Sequence, residues 1–467
     1  MSAHELVIIG AGPGGYVAAL RAAQLGLKVT LIEREKVGGT CLHKGCIPSK
    51  TLIHGAEVFD TVQKAADWGV RLPGAAKFDY AVLAGRKDKT VATLEKGVEF
   101  LLSKRGVTVL RGEASFAGTH AINLSQSGGS GEPLEFEHCI IATGSVPKLL
   151  PNFPMDGQTY VTSDEVLRWT AMPASMVIVG AGVIGCEFAS LFARLGAQVQ
   201  IVELLDGCLP NFDDDVRKEV ERGLKKQNIE LRFGVKVEEA GHGPAGGVLT
   251  LSDGETVSAQ AIIVAVGRTP ATEGLGLENA GLELGKGGTI PVNAQCRTSV
   301  EHIYAIGDVT GVAPFAHAAS HMGIVAVERI AGAKRGGREL SFDPLHVPWA
   351  VFTKPEVGTL GLTEVAAKAN GREVKVGKFA TRGLGRAQAT GEIDGFAKVV
   401  ADAKTGKLLG LHIVGAHATD ILGEATGLFA SEASLEQLAD TIHAHPTFPE
   451  AIMEAALAAL GKPLHGV

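Results

Sequence analysis

Gly38–Lys50 reads GGTCLHKGCIPSK and holds two cysteines, Cys41 and Cys46, with four residues between them. That is about one helical turn, a spacing that can close a disulfide on one face of a distorted helix start. A helix N-terminus lowers a thiol pKa, as does a nearby cation such as Lys44 or Lys50. Exchange chemistry uses such a pair: one sulfur attacks or is attacked by substrate, and the other faces an electron acceptor. The residue types also allow a structural disulfide or two metal ligands. Metal-binding pairs usually come with a second pair elsewhere. Here Cys139, Cys186, Cys208 and Cys296 stand singly and read as small buried apolar residues. A purely structural bridge is out of place in a reducing cytosol, so a catalytic pair is the better reading.

Near the other end, His443-Ala-His445-Pro-Thr-Phe-Pro-Glu450 precedes the last helical pattern. Dithiol exchange needs a group that removes a proton from the incoming thiol, and imidazole suits this near neutral pH. A carboxylate on the other ring nitrogen fixes the tautomer and stabilises the imidazolium. Glu450, held five residues on by two prolines, can serve His445 in this way. A histidine beside a proline turn is otherwise more often structural, and His443 is read so.

These groups must be positioned by the elements around them. Leu6–Glu33 (LVIIGAGPGGYVAALRAAQLGLKVTLIE) recurs about 170 residues on as Met176–Glu203 (MVIVGAGVIGCEFASLFARLGAQVQIVE). Gly10, Gly12, Gly15, Gly26, Val29 and Glu33 fall on Gly180, Gly182, Gly185, Gly196, Val199 and Glu203. Each copy is an apolar strand, a G-x-G-x-x-G turn, a helical pattern, a second strand and a terminal Glu, which is a dinucleotide-binding βαβ unit. The first glycine permits the tight turn, the second lets backbone approach a pyrophosphate, and the third lets helix pack on strand. The phosphates sit at the helix N-terminus, and the Glu takes hydrogen bonds from ribose hydroxyls. A lone fingerprint is weak, since glycine turns are common. Two complete copies imply two dinucleotides.

Further along, a helical stretch covers Asp79–Arg105, with strand-like runs at Val107–Leu110 and Ile122–Leu124. Ile140–Gly144, Ile262–Gly267 and Tyr304–Asp308 are apolar strands ending in glycine or an acid. From about Phe342 the character changes to short strands (Trp349–Phe352, Ala397–Val400, Leu408–Val414) and two helical patterns (Asp420–Ser431, Glu450–Leu460). Gly128–Gly131 and Gly285–Gly288 read as surface turns. The fold class is therefore α/β, with two Rossmann-like dinucleotide-binding domains and a C-terminal α+β domain.

Composition bounds the function. Of 467 residues, 45% are hydrophobic and 20% charged, with 61 glycines and few aromatics, which suits a large α/β protein. A formal charge of −7 leaves no basic footprint for nucleic acid. No apolar run approaches the ~20 residues of a membrane span, and no leader precedes Leu6–Ile9. The chain reads as cytoplasmic, with the mitochondrial matrix as the alternative if a presequence has been removed.

GGTCxxxGCIPSK, YAIGDV and HAHPTFPE, in that order around two fingerprints, resemble the pyridine nucleotide–disulfide oxidoreductases of the glutathione reductase type over essentially the whole chain. The resemblance implies FAD on residues 1–147, NAD(P) on 148–269, a central segment 270–343 returning to the FAD domain, and a homodimer interface in 344–467. It implies that Cys46 lies against the flavin and Cys41 exchanges with substrate. Lys50 would sit near the flavin ring, Asp308 on its ribityl chain, and Ala316 and His317 at its pyrimidine edge. Gly144 and Ala114 would lie along the FAD, Ala114 replacing an expected glycine. Glu187, Val237 and Gly267 would line the NAD side. His445 would act as base on the disulfide of the other subunit.

Within the family, a mercuric reductase would need cysteines near the C-terminus, and none follows Cys296. Soluble transhydrogenases lack the Cys41–Cys46 pair. Glutathione reductases usually carry Tyr where Val183 stands, and favour NADP. Val202-Glu203-Leu204-Leu205-Asp206 is acidic and without Arg, which favours NAD. GRAQATGEIDGFAKVVADAKTGKLLGLHIVG (Gly385–Gly415) with HAHPTFPEA closely resembles the dihydrolipoamide dehydrogenases. Departures are His43-Lys44 for Asn-Val, Phe448-Pro449 for Leu-Ser, and no Lys after His317. VGTLG (Val357–Gly361) is nearer the glutathione reductases. The resemblance implies oxidation of a lipoyl dithiol with NAD+, on a carrier protein of a 2-oxoacid dehydrogenase or glycine cleavage complex. The alternative is an NAD(P)H-dependent reductase of another small disulfide such as glutathione. A non-catalytic subunit that kept the fold is the reading outside enzymes, and the intact Cys41, Cys46, His445 and Glu450 argue against it.

Overall fold

Strands His4–Ile9 and Val29–Glu33 bury apolar Leu6 to Ile9, Val29, Leu31 and Ile32 on both faces, as parallel strands covered by helices must. They pair in parallel with Leu6 opposite Val29. The second copy repeats this register, with Met176 opposite Val199. The computed structural model describes residues 4–126, 129–130 and 132–466.

The first sheet runs Thr108–Arg111, Val29–Glu33, His4–Ile9, Leu134–Ile141. Leu134–Ile141 is shared: its start pairs antiparallel with Ala121–Gln126, and its end pairs in parallel with Ile303–Ala305. Residues far along the chain thus complete the first sheet. Helix Ala316–Ala331 follows and packs on fingerprint helix Pro13–Gln24. The second sheet is wholly parallel, in the order Glu230–Arg232, Gln198–Val202, Ser175–Val179, Ala261–Val264, Tyr160–Val161. The C-terminal sheet is antiparallel, in the order Trp349–Val351, Glu356–Gly361, Leu408–Gly415, Phe396–Asp402, Val374–Ala380. Helices Ala418–Ala430 and Glu450–Ala459 pack on it, around a core that includes Leu411, Ile413, Leu422 and Ile452.

Helix Tyr80–Lys104 matches the expected stretch, with the Asp79 side chain accepting from Ala81 and Val82 N–H groups as its N-cap. The strand expected at Val107–Leu110 lies one residue later. Helices Asp214–Lys226 and Ala316–Ala331 and the antiparallel strands Val237–Gly243, Gly246–Leu251 and Thr256–Ala259 fall where no element was expected. Lys286–Gly288 forms a short 3-10 turn, as read. Of the other expected turn, Gly129–Ser130 pairs with Ala121–Gln126, while Gly128 and Gly131 lie outside the described residues.

The second nucleotide unit is pinned to the C-terminal sheet by charge. Buried Lys398 places Nζ 3.0 Å from both Asp213 Oδ2 and Glu364 Oε2. A buried cation with two close carboxylates is costly to break from one side, at about 3–5 kcal/mol, because the remaining charge is stranded.

Candidate active site

Cys41 lies in the short helix Gly39–His43, and Cys46 opens helix Cys46–Gln63 behind Gly45. The turn brings the half-buried thiols into hydrogen-bond contact, with Cys41 donating to Cys46. That bond, then the charge of Lys50, holds the Cys46 thiol down at about 7 against burial. The same bond, together with burial, pushes Cys41 well up. Negative charge therefore resides on Cys46, at a helix N-terminus whose free N–H groups favour it. Of the two candidate cations, only Lys50 serves; Lys44 is turned to Glu35.

Lys50 places Nζ 2.8 and 3.1 Å from the carboxylate oxygens of Glu187, which lies on the second fingerprint helix Val183–Arg194. The same ammonium stands 4.5 Å from the centroid of the Phe352 ring. The Phe352 N–H donates to Glu187 Oε1 at 3.0 Å. Glu187, expected along the NAD side, is thus held by Lys50 and the backbone of the C-terminal part. Phe352 was not foreseen, and no local signal marks it.

The two fingerprints are built alike, down to single hydrogen bonds. The Ala11 N–H donates to Glu33 Oε2 at 2.7 Å and the Glu35 N–H to Oε1 at 2.7 Å. The Ala181 N–H donates to Glu203 Oε2 at 2.7 Å and the Leu205 N–H to Oε1 at 2.8 Å. Each Glu ties the glycine turn to the segment after the second strand and keeps lone pairs for a ribose. Gly10 and Gly180 have φ of +99° and +110°. A Cβ on Gly15 would sit 1.8 Å from Gly10 O, and one on Gly185 2.0 Å from Gly180 O. Around Gly182 the space within 4 Å is open, and Gly12 meets only the Cα of Gly39. First and third glycines are thus closed by backbone, while the second faces room for a phosphate. Thr143, beside Gly10 at the end of Leu134–Ile141, has a buried hydroxyl with no protein partner. The residues present fit a dinucleotide at both turns.

Asp308 follows strand Ile303–Ala305 at the same sheet edge. The Ser145 hydroxyl donates to Asp308 Oδ2 at 2.6 Å, and Arg268 Nε donates to Ser145 Oγ at 2.7 Å. Ser145–Pro147 and Arg268–Pro270 pair as a two-stranded ribbon linking the ends of the two nucleotide units. Neither Ser145 nor Arg268 was foreseen. The parallel between IIATGSVP and IIVAVGRTP was the available signal. Gly144 and Gly267 have φ of +72° and +111° with open space beside them. Ala316 begins its helix, and His317 Nε2 lies 2.8 Å from Pro348 O. Ala114 pairs with Leu124 in the first unit, and buried Val237 belongs to the apolar cluster under the second sheet.

Cys139, Cys186, Cys208 and Cys296 are all buried, as read. The Cys186 thiol donates to Ala181 O and the Cys208 thiol to Arg217 O, and the neighbouring Cys208, then burial, pushes Cys186 up. The second strand end holds no Arg in sequence, and Arg217 reaches it in space from helix Asp214–Lys226. Its Nη2 lies 3.0 Å from Asp206 Oδ1 and its Nη1 3.1 Å from Asp214 Oδ1, which neutralises it.

His445 Nδ1 lies 2.9 Å from Glu450 Oε2, and the Thr447 N–H donates to Glu450 Oε1 at 2.6 Å. Burial opposes it, but these bonds hold the Glu450 carboxyl below the usual range. The His445 ring is 75% exposed, and no hydrogen bond joins it to Gly38–Lys50 among the described residues. Ile442, three residues earlier, is 97% exposed, so this face carries an apolar side chain with no cover of its own. His443 is occupied, with Nε2 2.8 Å from Glu424 Oε1.

Residues 4–323 match the pyridine nucleotide-disulphide oxidoreductase family, and residues 347–456 match its dimerisation domain. The chain is 43% identical over 475 residues to a dihydrolipoyl dehydrogenase of Bacillus subtilis (strain 168), covering 99% of both. It is 42% identical to dihydrolipoyl dehydrogenase 2 of Haloarcula marismortui, covering 99% of this chain and 98% of that one. The crystal structure of LpdA from Mycobacterium tuberculosis superposes with a TM-score of 0.89 at 28% identity, covering 97% and 99% of the two chains.

Proposed function

Because this chain belongs to the pyridine nucleotide-disulphide oxidoreductase family, we propose that it oxidises a dihydrolipoyl dithiol to the cyclic disulfide and reduces NAD+ to NADH, as an FAD-bearing homodimer. The observation that carries the reaction class is the thiol pair Cys41 and Cys46 at a helix start, with Lys50 of that helix 2.8 Å from Glu187 of the second fingerprint helix. The choice of dithiol rests on full-length relatives that are named dihydrolipoyl dehydrogenase.

In the oxidised enzyme Cys41 and Cys46 are joined. His445 of the partner subunit takes the proton of one substrate thiol, and the thiolate attacks Cys41 Sγ. The Cys41–Cys46 bond breaks, and Cys46 leaves as the thiolate; a low-pKa thiol is the better leaving group. The second substrate thiol then attacks the substrate sulfur bound to Cys41. That closes the lipoyl ring and returns a proton to Cys41. One disulfide and one dithiol have exchanged. Bound FAD supplies the two-electron passage from this site to the nicotinamide. Glu33, Gly10, Gly12, Gly15, Gly144, Asp308, Ala316 and His317 are assigned to the FAD, with Ala114 at its edge. Gly180, Gly182, Gly185, Glu203, Val237 and Gly267 are assigned to the NAD. Glu187 acts from the NAD side through Lys50. Residues 1–147 and 270–343 would form the FAD unit, 148–269 the NAD unit and 344–467 the dimer interface.

The partner would be a lipoyl-bearing carrier protein of a 2-oxoacid dehydrogenase or glycine cleavage complex, met in the cytoplasm. Among the described residues no helix is long and apolar enough to cross a membrane. Steady-state assays of the purified holoenzyme test the reading. Dihydrolipoamide with NAD+ should turn over well, and oxidised glutathione with NADPH poorly. The reverse preference would replace the proposal with a small-disulfide reductase.

A further inference from the structure

Helix Glu450–Ala459 carries two carboxylates one turn apart on one face, Glu450 and Glu454. The first holds His445. The second holds another imidazole: His465 Nδ1 lies 2.7 Å from Glu454 Oε1, and the His465 N–H donates to Glu454 Oε2 at 3.2 Å. The two arrangements share a plan. Each has a largely buried carboxylate on the helix and an imidazole bound through Nδ1, with Nε2 free of protein partners among the described residues. The rings are 75% and 73% exposed, while Glu454 is 3% exposed. An exposed surface pair has no need of a buried carboxylate. This one fixes His465 against the helix one turn from the Glu450 that holds the first imidazole.

We propose that His465 and Glu454 form a second imidazole–carboxylate dyad of the same site, a positioning pair that balances charge behind Glu450 and so leaves His445 free to accept a proton. The proposal rests on the assignment of His445 as the base. The hydrogen bond to Glu454, then the charges of Glu454 and Glu450, push the His465 imidazole up, so it carries positive charge beside both carboxylates. Without it, buried Glu454 is an unbalanced anion one turn from Glu450. Two anions would then draw a proton onto His445 and occupy the lone pair that must accept one from substrate. Charged groups on the elements packed against the helix are Lys375 and Lys378 on strand Val374–Ala380, Lys398 and Asp402 on strand Phe396–Asp402, and Glu436 on helix Leu435–Ala439. Lys378 is paired with Asp215, Lys398 with Asp213, Asp402 with Arg372 and Glu424 with His443, and Arg386 lies on helix Gly385–Thr390. Lys462 lies in the tail itself.

The test compares the parent holoenzyme with H465Q and with the double variant E454Q/H465Q. Two readings are taken: the pH profile of kcat/KM for dihydrolipoamide, and the titration of His445 followed by NMR with 13C-labelled histidine. In H465Q the acid limb and the His445 titration should both move up by about half a pH unit. In the double variant, where the anion is also gone, both should return to the parent position. No movement in H465Q overturns the proposal, and so does a movement that persists in the double variant, since that marks a frayed tail. If the enzyme does not oxidise dihydrolipoamide, the functional reading fails, while the NMR titration still decides whether the second dyad controls His445.

Discussion

Lys50 of the cysteine helix is paired with Glu187 of the second fingerprint helix, Nζ to Oε2 at 2.8 Å, across 137 positions of sequence. One ion pair thus ties the thiol pair to the second nucleotide unit. The two partners act on Cys46 with opposite sign: Lys50 lowers its pKa and Glu187 raises it.

The thiolate of the reduced enzyme should therefore respond in opposite directions to the two removals. Cys46 sits at about 7, below the ordinary thiol value, so its thiolate is present above pH 7 and is lost as pH falls through that point. K50M should move the midpoint of Cys46 alkylation upward, and E187Q should move it downward. Alkylation rates against pH, with mass spectrometry to assign the site, check this. Shifts of the same sign would show that the pair acts only by packing.

Replacing the base should cost catalysis rather than folding. H445Q should lower kcat about 10²–10⁴-fold, the usual worth of a general base, with FAD content unchanged. E450Q should cost less, because the imidazole keeps a hydrogen-bond partner. Steady-state kinetics and absorbance spectra check both.

The exposure of His445 predicts that the base works in trans. Inactive C41S and H445Q homodimers, unfolded and refolded together, should regain about a quarter of parental activity, since half of a random two-fold assembly is mixed and each mixed dimer has one intact site. Recovery of nothing would place the base in its own chain.

The glycine turns predict separable cofactor losses. A Cβ at Gly15 or Gly185 collides with backbone at 1.8 or 2.0 Å, so neither turn can absorb it. G15A should purify without flavin. G185A should stay yellow and lose NAD+ reduction while dithiol still changes its spectrum.

Nucleotide choice should depend on freeing Arg217. E203Q/D206N removes the acid at the strand end and one of the carboxylates bound to the guanidinium. The NADP+ to NAD+ ratio of kcat/KM should rise roughly tenfold or more, as for one gained charged contact.

The fingerprint repeat was legible because it is local. Strand, turn, helix and second strand lie within about 30 residues, and glycine is demanded by backbone that comes close in sequence. The cysteine pair and the His445–Glu450 pair were legible for the same reason, each lying within a turn or two. The helix Asp214–Lys226 was not read, although its charge pattern is amphipathic. The antiparallel strands from Val237 to Ala259 were missed although burial alternates strictly along Gly246–Leu251 and Thr256–Ala259, because such short runs, two of the three interrupted by glycine, do not set a clear period.

The sequence by itself determined two dinucleotide units, a thiol pair at a helix start and a histidine with its carboxylate, since each depends on residue type and short spacing. Only the tertiary structure decided which cation serves Cys46, because Lys44 and Lys50 both lie within a helical turn of it and differ in the partners the fold brings them, Glu35 and Glu187. It alone decided that Ser145 and Arg268 stand behind Asp308, and that Cys186 meets Cys208. It also set His445 on an open face, with a second dyad one turn along the same helix. The pairs Lys50–Glu187, Ser145–Asp308 and Ser145–Arg268 span 137, 163 and 123 positions, where packing of whole elements fixes the distance and no local pattern records it.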